Sequence, residues 1–464
     1  MEKTVKNTFK KNLILSIIVQ VVSLILGAVI SLILPKMISE VEYANFQLYA
    51  LYVGYVGIFH FGIIDGLILR YSQYNYEELD KEKIKSQLFV VLFITFVIAM
   101  IVIIISILFM SRDYMYIFIL VAIALVIKNV FAYASYVFQM TNLINKYALL
   151  IVLEKVFYAF FVIFFLFLKK DNFVYYVLSD LIGCVLAIII CSMSTRRLFY
   201  GFGFKIKESI IEAARNAYAG SFLLISNLSS TLLLGIAKQM IEIKFGILTF
   251  GKISFSFSLT TLFLTFISAV SIVFFPSLKR MDEKDMPNVY IKTRNMISPF
   301  LIFVMILYFP GVFILEKWVP AYSESLKYLG ILLPMIIYTS KEALLTNNYY
   351  KAYRKEKTML VINVLSIILG VLLFIVGIVL DDVIIFLYMI LISLIARSII
   401  SEIYIFKIIK KHVVLDQIYE IISTVIFIIC AFYMDLWIGF IFYVIFLIIY
   451  LIVNFKKIFK NFIK

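Results

Sequence analysis

QLFVVLFITFVIAMIVIIISILFM, residues 87–110, carries no charge, and its only polar side chains are Gln87, Thr95 and Ser106. Wound as a helix, these residues reach about 36 Å, enough to cross roughly 30 Å of hydrocarbon. Lipid offers no partner for backbone N–H and C=O groups, so a stretch of this kind must satisfy them internally, as a helix. The same reading extends in both directions from it. Apolar stretches recur at 12–34, 43–69, 87–110, 115–140, 148–168, 173–194, 216–237, 248–276, 296–315, 326–345, 358–380, 383–406, 418–434 and 436–453. The expected fold is therefore an all-α membrane protein of about fourteen spans. A twelve-span reading, with 418–453 as one re-entrant or interfacial unit, is the alternative.

Composition agrees. The chain is 64% hydrophobic and 15% charged over 464 residues, with mean hydropathy +1.05. A soluble chain of that length could not bury so much apolar surface. The net charge of +15 follows topology. Of the 43 Lys and Arg residues, 30 fall in one alternate set of connectors, the set that includes both ends of the chain. That bias is the positive-inside rule, so both termini are expected in the cytoplasm. The basic residues suit anionic head groups and require no nucleic-acid partner. Lys3, Lys6, Lys10 and Lys11 precede an apolar run too long for a signal-peptide core, so the first helix is expected to stay.

Two connectors, 195–216 and 407–417, divide the chain. They give a six-helix lobe at 1–207, a second at 208–417, and a terminal helix pair with a basic tail at 418–464. Six plus six helices starting on the same side imply parallel repeats related by a pseudo-two-fold axis along the membrane normal. No connector exceeds about 20 residues, too few to build a separate core. The G-x-x-x-x-G-K-[ST] phosphate loop is absent. Cys184, Cys191 and Cys430 share no metal-ligand spacing and read as small buried hydrophobes. His60 and His412 are too few and too far apart for a metal site, and no catalytic constellation is present. An enzyme is not expected.

Function is sought in polarity inside the spans. Ser16, Gln20, Ser23, Gly27 and Ser31 share one arc of the first helix; Ser254, Ser258, Thr261, Thr265 and Ser268 share one arc of the eighth; Asn227, Thr231 and Lys238 make a shorter set on the seventh. Such stripes line wet cavities, or they let helices pack closely. Formal charge is more telling, because a centred Lys, Arg or Asp costs roughly 2.5–3.5 kcal/mol on insertion scales. Lys128, Asp180 and Arg397 are the deepest, and a cavity role is expected for them. Glu154 and Asp65 lie nearer the inner surface. Lys155, Lys252, Lys341 and Glu342 lie close enough to a span end to snorkel. The candidate cavity residues are Lys128, Arg397, Asp180, Glu154, Asp65, Gln20, Asn227 and Lys252. Tyr49, Tyr52, Tyr55 and His60 concentrate on the second span, as sugar-contacting surfaces or as interfacial anchors.

The opening of the chain resembles the Wzx-type polysaccharide-repeat-unit flippases of the multidrug/oligosaccharidyl-lipid/polysaccharide exporter superfamily. The residues that carry the resemblance are Ser31-Leu32-Ile33-Leu34-Pro35-Lys36, then Glu42-Tyr43-Ala44-Asn45-Phe46-Gln47, then Phe61-Gly62-Ile63-Ile64-Asp65-Gly66-Leu67-Ile68-Leu69-Arg70-Tyr71. Ala44 stands where that family's turn often has Gly. The resemblance implies two six-helix lobes that alternately open to either side of a bacterial cytoplasmic membrane. It implies a substrate in which an oligosaccharide is joined through diphosphate to a polyprenyl lipid, for capsule, O-antigen or exopolysaccharide synthesis. It also implies membrane lipids, a polymerase and glycosyltransferases as partners, and no cofactor. Lys128 and Arg397 would then hold diphosphate or acidic sugars, with proton or sodium coupling at Asp65, Glu154 or Asp180 as an option. Lipid II flippases share the layout but usually carry cations in the first helix, which has none between Asn12 and Leu34. Cation-coupled multidrug exporters usually carry a carboxylate in the first or seventh span, and neither has one here. A membrane scaffold without transport is the alternative of another class.

Overall fold

The computed structural model describes the backbone of residues 2–74, 76–201, 205–279, 281–410 and 414–459. Within these, the side chains of 2–18, 20, 230, 266, 268–270, 272–273, 275–277, 279 and 455–459 lie outside the description. His412 and the side chains of Ser16, Gln20 and Ser268 fall outside it. Every described element is helical, and no strand occurs among the described residues.

In chain order the elements are α1 (Glu2–Met37), α2 (Glu40–Val53), α3 (Ile63–Tyr71), α4 (Lys81–Phe109), α5 (Arg112–Met140), α6 (Ile144–Phe167), α7 (Val174–Met193) and the short α8 (Arg196–Phe199). They continue with α9 (Ile206–Lys279), α10 (Met286–Val304), α11 (Tyr308–Trp318), α12 (Ser323–Leu332), α13 (Met335–Lys341) and α14 (Asn347–Ala352). The last are α15 (Glu356–Val379), α16 (Val383–Ile409), α17 (Val414–Ile428) and α18 (Leu436–Phe459). Each of the fourteen expected stretches is mostly helical, with bends inside 43–69 and 326–345. Ten of the described helices are long and apolar enough to cross a membrane, or twelve if each of two bent pairs is one span. The difference from fourteen has two sources. The described apolar part of α1 is only Val21–Met37, and the expected seventh and eighth spans belong to the single assigned helix α9, of which only Thr231–Thr265 qualifies.

Breaks fall where the local chemistry requires them. Gly246, inside α9, has φ 82° and ψ 168°, a conformation only glycine adopts cheaply. Phe61 and Gly62 are both left-handed, and they separate α2 and its following 3-10 turn from α3 by a 57° bend. Pro334 separates α12 from α13 at a 53° bend, where its missing N–H breaks the helical ladder. Asp80 caps α4 by accepting from the Lys83 N–H, and Asp382 caps α16 through the N–H groups of Ile384 and Ile385.

The chain divides into two units, Met1–Leu228 and Ser229–Lys464. In the first, α5 is the hub, packed against α2, α3, α4, α6 and α7. Its core runs through Ile84, Val91, Tyr133, Val137, Phe138 and Phe199. On the other face of α4, Phe93, Phe96, Ile104 and Leu108 stand 51–71% exposed, as expected of side chains that meet lipid. The turn between α1 and α2 is tied to the α6–α7 turn: Asp171 accepts from the Ser39 N–H at 2.7 Å, and Glu42 accepts from the Phe173 N–H at 2.6 Å. In the second unit α16 packs against α12, α13 and α15. Met286, Tyr290, Leu345, Tyr349, Tyr350 and Ile405 form its core at one end.

Candidate functional site

Three of the expected residues converge in the first unit. Lys128 projects from α5, Glu154 from α6, and Asp180 with Cys184 from α7, where a spacing of four places them on one face. The Lys128 Nζ donates to Asp180 Oδ1 at 2.8 Å and to Cys184 Sγ at 3.2 Å. Ligand atoms of Glu154, Asp180 and Cys184 all lie within 4.8 Å of one another, the one such trio among the described residues. This donor set could hold a small cation, and the Lys128 ammonium supplies a positive charge there. Glu154 is also paired with Lys155 at 3.2 Å. Glu154 and Cys184 are buried, whereas the side chains of Lys128 and Asp180 keep 22% and 16% of their surface. The pair is thus neutralised but not sealed.

The other candidates lie elsewhere. Asp65 sits just past the break before α3, 3.6 Å from His60 Nε2, while His60 Nδ1 accepts from the Gly62 N–H. Asn227 is exposed on α9. Lys252 pairs with Glu324 at 2.8 Å. Arg397, on α16, is 4% exposed and ion-paired at 2.9 Å with Glu342 in the π-helical turn after α13. Hydroxyls of the eighth-span stripe bond along their own helix: Ser258 donates to the Ser254 carbonyl, Thr261 to Phe257 and Thr265 to Thr261.

Two expectations need correction. Lys341 and Glu342 do not snorkel. Lys341 is fully buried and pairs with Glu402 at 2.9 Å and Glu420 at 2.5 Å. The same carboxylates engage Arg294: its Nε donates to Glu402 at 2.8 Å, and one Nη lies 2.9 Å from Glu420. Its other Nη lies 3.3 Å from Asp416. Gln417 Nε2 donates to Glu402 at 3.0 Å. This network joins α10, α13, α16 and α17, and it satisfies each buried charge with an opposite one. Its acidic members escape a sequence reading that ranks charges by depth within one span. The available signal was charge on several neighbouring helices at matching depth.

A second group missed in the sequence lies at the end of α3. Glu212, 2% exposed, accepts from Arg70 Nη1 at 2.5 Å and from the Tyr71 hydroxyl at 2.6 Å. Lys83 and Arg215 lie 3.2 and 3.7 Å from its other oxygen. Burial would raise the carboxyl's pKa, but the hydrogen bonds from Tyr71, Arg70 and Lys83 outweigh it and hold it below the usual range. Asn216 is fully buried, accepts from Arg70 and donates to Gln87 at 3.2 Å.

Residues 9–282, more than half of the chain, match the model of the family described as polysaccharide biosynthesis protein. The inward closed conformation of the lipid II flippase MurJ superposes with a TM-score of 0.69 at 15% identity, covering 97% of this chain and all of that one. An inward-facing multidrug resistance MATE transporter of the MOP superfamily gives 0.60 at 13% identity, over 84% and 98%. A MOP superfamily transporter from Pyrococcus furiosus gives 0.51 at 12%, over 87% and 97%. At such identities these likenesses establish the fold, which is that of MurJ and the MATE transporters. No curated protein sequence matches the chain. In keeping with the resemblance carried by its opening residues, this multi-pass membrane chain belongs to the polysaccharide biosynthesis protein family.

Proposed function

We propose that the chain is a Wzx-type flippase that carries polyprenyl-diphosphate-linked oligosaccharides from the inner to the outer leaflet of a bacterial cytoplasmic membrane. The observation that carries this reading is the family match over residues 9–282. Physical need supports it: a sugar–diphosphate head cannot shed its water into hydrocarbon without prohibitive cost. A path lined by polar groups replaces that water while the lipid tail stays in the bilayer. Lys128 suits the head group better than Arg397 does. Its ammonium is partly accessible and held by one carboxylate and one thiol, so a diphosphate can outbid Asp180 for it. Arg397 is enclosed with Glu342. Both termini on the cytoplasmic side, two six-helix lobes with a terminal pair, and alternating access complete the proposal. Pathway glycosyltransferases would supply the substrate and a polymerase would consume it.

The second reading is a lipid II-type flippase, favoured by the match to MurJ over 97% of this chain and all of that one. Complementation separates the two. The chain is expressed in strains lacking either a repeat-unit flippase or the lipid II flippase, and the lipid-linked sugars that accumulate are analysed. Restored surface polysaccharide in the first strain alone supports the proposal. Rescue of the second alone transfers the function to lipid II, and rescue of neither removes the flippase reading.

A further inference from the structure

Three cations, Arg70, Lys83 and Arg215, gather on the single carboxylate of Glu212. Their side chains are 31%, 40% and 65% exposed, against 3% for Glu212. Three further acids lie nearby, and two of them have lysines of their own. Asp80 accepts from the Lys83 N–H, Glu82 pairs with Lys85, and Glu208 pairs with Lys205. The cluster therefore holds more positive charge than its internal anion neutralises, and that surplus faces outward. A cavity of about 300 Å³ adjoins it, lined by Lys83, Lys205, Ser86 and Ser209 and by the acids Asp80, Glu82 and Glu208.

The carboxylate also holds two backbones together. Gly66 lies against Asn216 so closely that an added Cβ would stand 1.9 Å from the Asn216 carbonyl oxygen. A Cβ on Gly220 would stand 2.1 Å from the Gly62 carbonyl. Apolar contact accompanies that crossing, since Ala213 of α9 shares a buried cluster with Ile63, Ile64 and Leu67 of α3. Polar groups fasten it: Arg70 and Tyr71 on Glu212, Arg70 on Asn216, and Gln87 on Asn216 and on the Ser209 carbonyl. Parting a buried carboxylate from its cations is costly unless another anion takes its place on them, so a competing anion decides whether this fastening opens.

We propose that Glu212 occupies an anion site formed by Arg70, Tyr71, Lys83 and Arg215, and that a phosphoryl head group competes for it, releasing the start of α9 from α3. A phosphoryl group offers the same cations more charge and more acceptor oxygens than a carboxylate, and it matches the arginine fork. Two sources present this chemistry at a membrane surface, an anionic phospholipid or the terminal diphosphate of a lipid-linked sugar. The inference concerns a switch on the first unit and stands apart from the transport reading, since no step of it requires a sugar.

The test uses the purified full chain and follows hydrogen–deuterium exchange of backbone amides in 206–220. In detergent, millimolar inorganic diphosphate is expected to speed exchange there by about threefold or more over sodium chloride of equal ionic strength, as local opening requires. The double variant Lys83→Ala/Arg215→Ala should lose that response. Glu212→Gln should exchange fast in chloride alone and bind diphosphate about tenfold more tightly, a gain of about 1.4 kcal/mol. Nanodiscs separate the sources: opening on adding phosphatidylglycerol to phosphatidylcholine assigns the site to phospholipid, and opening by diphosphate alone assigns it to a diphosphate head. Unchanged exchange in wild type with both probes overturns the proposal, as does an equal response to chloride. The wild-type titration decides this even if the Glu212 variant does not fold. Because nothing is transported in this assay, a failed complementation leaves its outcome untouched.

Discussion

Lys128 and Arg397 carry the same charge within apolar spans, and their surroundings give them different work. The Lys128 ammonium is partly open beside Asp180 and Cys184, so its loss should spare folding more than function. Lys128→Gln is expected to keep near-normal membrane abundance while lowering glycan export about tenfold or more, a change of about 1.4 kcal/mol. Lys128→Arg should retain part of the activity. Arg397 is enclosed with Glu342, and removing one partner of a buried pair costs about 3–5 kcal/mol. Arg397→Ala should therefore lower abundance itself, and adding Glu342→Ala should restore much of it. Quantifying protein in membranes alongside exported polysaccharide distinguishes the two patterns. If Lys128→Gln exports normally, the head-group role assigned to it falls.

Glu212 gives a pH prediction at the same scale. Its carboxyl is depressed in the folded protein, with burial opposed by the hydrogen bonds of Tyr71, Arg70 and Lys83. A depressed acid contributes stability that is present above its unfolded pKa of about 4.3. That stability is lost as pH falls through the lower folded value. Wild type should thus be more heat-stable than Glu212→Gln at pH 7. The gap should hold constant down to about pH 5, then close below about pH 4. Thermal unfolding of both proteins across that range is the measurement, and a gap independent of pH would remove the carboxylate's charge from the account.

At the scale of elements, what was legible depended on whether one helix or several had to be known. The bilayer sets helix length, so each apolar stretch announced its helix, and the caps at Asp80 and Asp382 sit at the charged margins that bound those stretches. Pairing between helices leaves no such trace. Lys341 looked free to snorkel because Glu402 and Glu420 come from sequence positions 61 and 79 residues away. Glu212 lies in the basic connector 195–216, and its partners Arg70, Tyr71 and Lys83 come from α3 and α4. The crossing at Gly66 and Gly220 leaves no such trace either, since the backbones that meet there come from distant parts of the chain. Gly66→Ala and Gly220→Ala should each be costly, because the new Cβ meets backbone that cannot step aside. Overpacking of that kind typically costs about 1–3 kcal/mol. Gly27→Ala, with nothing within 4 Å of its Cβ, should be neutral or slightly stabilising in helix α1. Thermal stability of the three variants in detergent tests the contrast, and equal behaviour would contradict the crossing.

For the whole molecule, the charge bias of the connectors argues for orientation independently of any contact within a unit. Thirty basic residues in one alternate set of connectors favour the cytoplasm for that set, because positively charged loops resist translocation. The three cysteines are buried, so an impermeant maleimide should label the natural chain weakly and new cysteines can report on sidedness. Ser72, Asn172, Ser323 and Lys355 are exposed in connectors or at helix starts. In intact cells Asn172→Cys and Ser323→Cys should label, whereas Ser72→Cys and Lys355→Cys should label only after lysis. The pattern fixes direction and parity together: an odd number of crossings separates 72 from 172, and another odd number separates 323 from 355. Labelling of Ser72→Cys in intact cells would invert the protein and place the phosphoryl switch at Glu212 on the outer face, where its proposed ligand would be product rather than incoming substrate. Disagreement between Ser72→Cys and Lys355→Cys would break parity instead, and of the two bent pairs only α12 with α13 lies between those positions, as a loop that would return to the side it entered from.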